Sequence, residues 1–183
     1  MKVFTVISIV LVVLIGGFLF YQGIFSPVKL REQVVGGYWL VYQGHIGPYE
    51  KVGPVIKKIC QSLSDDKVET KVSFGLYYDN PAKVEKSKLK SEVGAILDEK
   101  YYDRIDDLRS KYNIKQIKKR NSLVAEFPIR NNLSYMIGHM KVYPAMEKYC
   151  KEKNIDIESI TNGFGLEIYD MKNKKTTYSL SIE

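Results

Sequence analysis

Among the residues that could bind or react, one carboxylate stands out: Glu167, in the segment FGLEIYD near the end of the chain. An earlier segment, FGLYYD, has nearly the same sequence and carries Tyr77 where the later one carries Glu167. Side chains alternate between the two faces of a strand, so Glu167 and Tyr169 share a face. A carboxylate flanked by tyrosines can hold a cationic or polar ligand through its charge and the aromatic rings. The candidate ligand-binding residues are therefore Glu167, Tyr77 and Tyr169.

Glu167 also has a catalytic interpretation. A carboxylate that is partly removed from water can act as a general base, so Glu167 would be the catalytic residue if the protein were a hydrolase. A solvated strand glutamate without a role fits the pattern equally well. The sequence offers no clear second catalytic group, and we therefore predict a binding protein rather than an enzyme.

Other residues with metal-binding or redox chemistry are few. The chain has two cysteines, Cys60 and Cys150, and two histidines, His45 and His139, whose spacing forms neither a zinc site nor a redox motif. No phosphate-binding loop or nucleophile elbow is present. We therefore expect no metal and no cofactor. His45 is expected in a turn or in the core, and the cysteines as small buried hydrophobes, with a disulfide between them as the alternative.

The basic residues are scattered rather than patterned. The net charge is +7, and the densest groups of lysine and arginine lie at residues 115–120 and 172–175. A modest positive field favours anionic membrane surfaces or acidic partners. No nucleic-acid motif accompanies these residues, so we expect a solvated basic surface and no nucleic-acid partner.

The two similar segments belong to an internal repeat with a spacing of 90 residues. Shifting the chain by 90 residues gives seven identities in the 23 positions from 54 to 76 without a gap. The identical pairs are Pro54 and Pro144, Lys58 and Lys148, Cys60 and Cys150, Asp66 and Asp156, and the Phe-Gly-Leu triplets at 74–76 and 164–166. A repeat of this kind predicts two copies of one supersecondary unit.

Each copy reads as a strand, a helix and two strands, over residues 33–97 and 115–183 approximately. The first helix should bury Val52, Val55, Ile56, Ile59 and Leu63, and the second Met136, Met140, Tyr143, Met146 and Cys150, since these recur at helical spacing. Pro54 and Pro144 are expected to start or kink the helices. The pattern predicts an α+β domain with an antiparallel sheet and helices on one face.

Strand alternation predicts which residues face the helices. Phe164, Leu166 and Ile168 are the apolar set of the last copy, and Phe74, Leu76 and Tyr78 match them in the first. We expect this set to lie under the helices.

The other set of strand residues is expected on the helix-free face, with Glu167, Tyr77 and Tyr169. Gly75 and Gly165 lie in this set, where a missing side chain permits close approach by a ligand or by another backbone.

The N-terminal segment from Val3 to Tyr21 contains no charged residue. Nineteen helical residues span about the ~30 Å hydrocarbon core of a bilayer. We expect a single-pass transmembrane anchor over residues 1–23, a linker over 24–32 and the folded domain over 33–183, with a cleaved signal peptide as the alternative. Flanking charges hardly decide which side of the membrane the domain occupies, and a cytoplasmic domain is slightly favoured.

Four stretches resemble the GyrI-like (gyrase-inhibitor-like) small-molecule-binding domain family. They are HIGPYEKVGPVIKKI at residues 45–59, LYYDNP at 76–81, SEVGAIL at 91–97 and LEIYD at 166–170. The resemblance covers roughly residues 33–183. It is closest to a membrane-anchored branch of the family that begins with one transmembrane helix and includes an autophagy receptor of the endoplasmic reticulum.

The resemblance implies a function for Glu167. In the family, a glutamate at this position lies in a central pocket and contacts cationic or amphipathic ligands, and some members hydrolyse strained electrophilic compounds there. We therefore expect a membrane-tethered binding module with a central pocket around Glu167 for a small amphipathic or cationic ligand. A hydrolase of reactive electrophilic molecules that uses Glu167 is one alternative.

An adaptor or receptor in the turnover of endoplasmic-reticulum membrane, with a protein partner, is the other alternative. The receptor binds its partners through a motif in a long C-terminal tail, which has no counterpart after Glu183 in this sequence. Tyr102 and Ile105 have the aromatic and aliphatic spacing of such a motif, but an amphipathic helix explains them more simply.

Overall fold

The computed structural model of the chain describes residues 2–156 and 165–182. The expectation for Phe164 therefore lies outside the described residues. The helices are α1 (Lys2–Tyr21), α2 (Val52–Asp65), α3 (Ile105–Arg109) and α4 (Leu133–Glu152). The strands are β1 (Leu30–Val35), β2 (Trp39–Ile46), β3 (Val72–Tyr77), β4 (Lys90–Ile96), β5 (Asn113–Gln116), β6 (Arg120–Pro128), β7 (Gly165–Asp170) and β8 (Lys175–Ser181).

The strands form one antiparallel sheet in the order β1-β6-β8-β7-β3-β4-β2-β5. Within it, β2-α2-β3-β4 and β6-α4-β7-β8 are the two copies of the predicted unit. One additional strand extends each end of the sheet: β1 pairs with β6 of the second copy, and β5 pairs with β2 of the first copy. The predicted α+β class and the antiparallel sheet are confirmed.

The 90-residue repeat has a structural counterpart where the two copies meet. Strand β3 pairs with β7 so that Leu76 lies opposite Leu166, its own equivalent in the repeat. On either side, Gly75 lies opposite Glu167 and Tyr77 opposite Gly165. A shift of 90 residues exchanges these two pairs, so a local pseudo-twofold axis passes between Leu76 and Leu166. The centre of the sheet is thus also the centre of the repeat.

Helices α2 and α4 pack on the same surface of the sheet, here called the helix face. Helix α2 covers β2 and β4, and α4 covers β6 and β8. Each helix encloses its own apolar cluster: Ile59 and Leu63 pack with the first copy, and Met146 and Cys150 with the second. Over the central strands β3 and β7, the helix face lies between the two helices.

The cysteines occupy equivalent helix positions but belong to different clusters. Cys150 is fully buried under α4, and Cys60 is partly buried beside the cluster under α2. Both are free thiols. The structure therefore agrees with small hydrophobes and not with a disulfide between them.

Helix α4 is rotated relative to the prediction. Met136 and Met140 are 55% and 65% exposed, whereas Ile137, Gly138 and Val142 are buried. Gly138 is needed here because a side chain at this position would collide with the hydroxyl of Tyr178 beneath it. The two methionines are consequently exposed rather than part of the core.

The opposite surface of the sheet, here called the inner face, is enclosed by the curl of the sheet. Gly37 donates a hydrogen bond to the carbonyl of Ile117 at 2.7 Å, and Ile117 donates one to the carbonyl of Tyr38 at 3.0 Å. These bonds join the β1–β2 turn to the segment after β5 and so bring the two ends of the sheet together. The enclosed surface forms a third apolar cluster, of Val35, Leu40, Phe74, Leu76, Val124 and Leu166.

This curl reverses the predicted assignment of faces. Phe74, Leu76 and Leu166 were expected under the helices but lie on the inner face. Glu167 was expected on the helix-free face but lies on the helix face, where Tyr143 of α4 contacts it. The assignment was wrong because both faces of the central strands are buried, so a buried apolar set does not reveal where the helices pack.

Helix α1 satisfies the length and composition of a membrane span. Its segment Val3–Tyr21 has a mean hydropathy of 2.9 and is not buried by the rest of the protein. A signal sequence near an N-terminus has the same properties. The helix is followed by a turn, and residues 30–32, expected in the linker, form the start of β1.

The end of α1 is fixed to the domain through polar contacts. The Lys141 ammonium of α4 donates to the carbonyls of Gly23 at 3.0 Å, of Ser26 at 2.5 Å and of Ile24. The buried Gln22 side chain donates to Asn131 Oδ1 at 3.1 Å. Residues 22–26 are therefore held against the helix that forms one wall of the gap on the helix face.

Candidate functional site

Glu167 lies on β7 at the centre of the helix face, between residues of the two neighbouring strands. Gly75 of β3 is its neighbour on one side and Tyr178 of β8 its neighbour on the other. The side chain is buried, with 7% of the residue exposed. A buried charge requires hydrogen-bond partners, because its transfer from water is otherwise costly.

Tyrosine hydroxyls supply those partners. The hydroxyl of Tyr143 donates to Glu167 Oε1 at 3.0 Å, and the hydroxyl of Tyr169 donates to Oε2 at 3.0 Å. The hydroxyls of Tyr77 and Tyr169 are 2.6 Å apart. Because the Tyr169 hydrogen is used on Glu167, Tyr77 is the donor to Tyr169. A hydrogen-bond chain therefore runs from Tyr77 through Tyr169 to the carboxylate.

The predicted ligand-binding residues are thus brought together, and the carboxylate changes the acidity of its neighbours. Burial raises the pKa of Tyr143 and of Tyr169 well above the usual tyrosine range, and the charge of Glu167 adds to this effect. Burial and the same charge raise the pKa of Tyr77 and of Tyr178. These tyrosines consequently stay protonated at neutral pH and act as hydrogen-bond donors.

The two repeated glycines accommodate tyrosines. A side chain on Gly75 would lie 2.6 Å from ring atoms of Tyr77, which leans over it. A side chain on Gly165 would lie 2.5 Å from the hydroxyl of Tyr143. Close approach at these glycines was predicted, and within the described residues it is made by the tyrosine side chains of the site itself.

A cavity of about 290 Å³ lies on the helix face between β3, β7 and α4. Its aromatic wall is formed by Tyr49, Tyr77, Tyr143 and His139, and the rings of Tyr49 and Tyr77 meet edge to face with centroids 4.7 Å apart. The apolar lining includes Met140, Met146, Pro81, Pro144 and Leu180. Aromatic faces with apolar surroundings are typical of small-molecule pockets.

The charged groups that line this cavity are acidic. Asp79 and Glu147 line it, whereas no lysine or arginine is found among its described lining residues. Pro144 lies inside α4 and has no amide hydrogen, so the carbonyl of Met140 lacks its helical hydrogen-bond partner at this position. The cavity therefore presents negative charge and hydrogen-bond acceptors, which suit a cation or a donor.

Glu167 and Tyr169 are not lining residues of the cavity and lie behind its wall. Tyr143 separates them from it, because this residue both lines the cavity and donates to the carboxylate. His139 also lines the cavity, and its Nδ1 is 3.8 Å from Glu167 Oε1. The Tyr143 side chain is thus the barrier between a ligand in the cavity and the buried charge.

Several residues of this site were not predicted from the sequence. Tyr143 was expected only as a core residue of α4, and Tyr49 and His139 were not assigned to the pocket. The lining aromatic residues come from distant parts of the chain, and no local spacing connects them. His45 was expected in a turn or in the core, but it lies near the end of β2, where it pairs with Ser91 and is partly buried, with Nε2 3.3 Å from the carbonyl of Pro48.

The segment with Tyr102 and Ile105 packs against the domain. Ile105 and Leu108 are buried in the cluster under α2, and Tyr102 is partly buried against it. Its amphipathic pattern is therefore explained by packing. Within the described ranges, no group of histidine, cysteine and acidic residues could hold a metal ion.

Comparison with known proteins identifies the class to which this fold and site belong. The sequence profile of the GyrI-like family, described as a GyrI-like small molecule binding domain, matches residues 37–151, which is more than half of the chain. The chain belongs to this family, as the resemblance implied.

One similar sequence is human testis-expressed protein 264, which is 25% identical over 158 residues. The match covers 81% of this chain and 49% of that protein, so the chain spans about half the length of this relative.

Two solved structures share the fold at 10% sequence identity. The EcmrR C-terminal domain matches with a TM-score of 0.56 over 85% of this chain and 98% of that one. SAV2435, whose structure contains bound tetraphenylphosphonium, matches with a TM-score of 0.55 over 85% of this chain and 94% of that one.

Proposed function

We propose that the protein is a membrane-tethered binding module whose helix-face cavity takes a small amphipathic cation. The observation that carries this proposal is the buried carboxylate of Glu167, held by tyrosine hydroxyls directly behind an aromatic and acidic cavity. Membership of a small-molecule-binding family supports it, as does the tetraphenylphosphonium bound to SAV2435. The tether is helix α1.

A cation gains from this site in two ways. The rings of Tyr49, Tyr77 and Tyr143 offer aromatic faces, which attract positive charge. Asp79 and Glu147 are lining residues of the cavity, and Glu167 adds a charge that is shielded from water. Electrostatic attraction is stronger where water is excluded, so Glu167 should contribute most to the preference for cations.

Full engagement of Glu167 requires a movement of Tyr143. The Tyr143 hydroxyl occupies Oε1 of the carboxylate and lies next to the Cα of Gly165, where no side chain blocks the ring. We propose that a ligand displaces this hydroxyl and takes its place beside Oε1. The hydroxyl of Tyr169 remains on Oε2, so the carboxylate keeps one donor throughout.

The test compares tetraphenylphosphonium with tetraphenylborate, an anion of nearly the same shape. The full chain is placed in zwitterionic lipid nanodiscs, empty nanodiscs give the lipid background, and binding is measured by calorimetry. We expect saturable binding of the phosphonium and much weaker binding of the borate. Glu167→Gln should weaken phosphonium binding by about tenfold or more, because an interaction with a charged group is worth about 1.5–3 kcal/mol.

The matched control is Glu152→Gln, an exposed carboxylate at the end of α4 that pairs with Lys148. This variant should bind as the parent protein does. Equal affinities for Glu167→Gln and the parent, or equal binding of the two ions, would refute the proposal. Turnover of an electrophilic probe by the parent protein but not by Glu167→Gln would instead support the hydrolase alternative.

The adaptor function is a second candidate, favoured by the similarity to testis-expressed protein 264 together with the apolar helix α1. An adaptor would recognise its protein partner through an exposed surface rather than through Glu167. Affinity purification of the full chain and of Glu167→Gln should then recover the same partner in equal amounts. Loss of that partner in the variant would connect partner binding to the cavity.

A further inference from the structure

A second cavity, of about 340 Å³, opens on the inner face of the sheet. Its apolar floor is formed by Val35, Leu76, Ile117 and Leu166. Leu76 and Leu166 are the residues at the pseudo-twofold axis, and their chain neighbours Tyr77 and Gly165 line the helix-face cavity. The two cavities therefore lie back to back across the same two strands.

The charge of the inner-face cavity is opposite to that of the helix-face cavity. Lys115, Lys118 and Arg120 line it, and its described lining residues include no carboxylate. Lys115 is already neutralised, because it forms an ion pair with Glu92, which also accepts a hydrogen bond from Tyr78. Lys118 and Arg120 are exposed, and the described part of the chain provides no ion pair for either.

Hydroxyl groups also line this cavity, and one of them, that of Ser122, donates to the carbonyl of Arg120 at 3.3 Å. Ser122, Ser179 and Ser181 line the cavity, on the adjacent strands β6 and β8. Serine hydroxyls can donate hydrogen bonds to an anion as well as accept them. The cavity thus combines apolar, hydroxyl and cationic groups, which matches an amphiphile with a negative head.

We propose that the inner-face cavity binds a small single-chain amphiphile with an anionic head group. The alkyl chain lies on Leu76, Leu166 and Ile117, and the head group lies between Lys118 and Arg120. The volume is near the lower end of the range for ligand pockets, about 300–1,000 Å³, which fits one chain better than a two-chain lipid. The site is separate from the proposed cation site and does not depend on Glu167.

The test uses octyl sulfate, with octyltrimethylammonium as the head group of opposite charge. The full chain is labelled with carbon-13 at leucine, isoleucine and methionine methyl groups and placed in phosphatidylcholine nanodiscs. Octyl sulfate, below its micelle concentration, should shift the methyl signals of Leu76, Leu166 and Ile117 saturably. Met140 reports on the helix-face cavity and should not respond to octyl sulfate.

Charge variants decide whether the rim recognises the head group. The double variant Lys118→Glu and Arg120→Glu should raise the half-saturation concentration by about tenfold or more, since two favourable charges become unfavourable. The double variant Lys57→Glu and Lys58→Glu makes the same change on the exposed side of α2 and should have no effect. Glu167→Gln should also leave the octyl sulfate response unchanged, which separates this proposal from the proposed function.

Three outcomes would overturn the proposal. The first is an equal response of the inner-face methyls to both head groups, and the second is an equal effect of the two double variants. The third is a shift of the same methyls in nanodiscs that contain phosphatidylserine and no octyl sulfate. That result would replace the single-chain ligand by a membrane lipid.

Discussion

Successive residues of β3 and β7 point to surfaces of opposite character. On the inner face, Phe74 and Leu166 pack into an apolar cluster. On the helix face, Glu167 and Tyr169 form hydrogen bonds next to a cavity with acidic lining. The same two strands therefore carry an apolar core on one side and a buried polar cluster next to a cavity on the other.

The difference shows where this fold can place a charge. Helices α2 and α4 cover the outer strands of each repeat and leave a gap over the central pair. The inner-face core holds the central strands in place, so the helix face can carry tyrosines and a carboxylate instead of packed aliphatic residues. Stability and binding can therefore be altered separately, which the following variants examine.

The largest effect is expected on the inner face. Phe74 is fully buried, and Phe74→Ala should lower the free energy of unfolding by about 3–5 kcal/mol, because it removes buried apolar surface and leaves a cavity. Denaturant unfolding followed by the fluorescence of Trp39, the single tryptophan, measures this loss. Met140→Ala, on the exposed side of α4, should change stability by less than about 0.5 kcal/mol. Similar losses in both variants would contradict the division between the two faces.

The tyrosine cluster on the helix face should make stability fall at alkaline pH. Burial raises the pKa of Tyr169 and of Tyr178, so above about pH 10 the unfolded chain releases protons that the folded protein keeps. The stabilisation is complete below pH 10 and is lost as the pH rises through the folded-state values. Each such tyrosine should reduce the free energy of unfolding by about 1.4 kcal/mol per pH unit.

Tyr178→Phe tests this dependence, because it removes one of the groups without removing the ring. The slope of unfolding free energy against pH above 10 should become less steep by about one proton. Tyrosinate absorbance, followed during the same titration, should rise together with unfolding. An unchanged slope would show that Tyr178 ionises equally in both states.

A smaller effect is expected at the barrier between the cavity and the carboxylate. Tyr143→Phe removes the hydroxyl that the proposed ligand would displace from Glu167, so tetraphenylphosphonium should bind about two- to fivefold more tightly. Tyr149→Phe is the matched control, since this hydroxyl donates to Glu32 and not to Glu167. Weaker binding by Tyr143→Phe would mean that the hydroxyl contacts the ligand directly.

The sequence predicted the fold through its repeat. The 90-residue spacing placed Tyr77 and Glu167 at equivalent positions, and the pairing of β3 with β7 confirms this equivalence. The assignment of faces failed because Phe74 and Leu166 are buried by the curl of the sheet, which depends on contacts between Gly37 and Ile117 far apart in the chain. The alternation of side chains along a strand divides its residues between the two faces of the sheet, but it does not show which face the helices cover.

The candidate site could be predicted only in part for a similar reason. Glu167, Tyr77 and Tyr169 lie on two neighbouring strands, and the repeat relates those strands directly. Tyr143 belongs to α4, where apolar and aromatic residues occur on several sides, so periodicity did not fix the rotation of the helix. The exposed Met140 shows the result: it was expected in the core and instead lines the cavity.

The attachment of Lys141 to the carbonyls after α1 has a mechanical consequence. Lys141 and Tyr143 lie on the same helix, so the residues that follow α1 and the barrier to Glu167 belong to one rigid element. The residues that follow α1 are therefore hydrogen-bonded to the domain and do not form a free linker. A displacement of α1 relative to the domain would therefore have to break the contacts of Lys141 or move α4 together with α1.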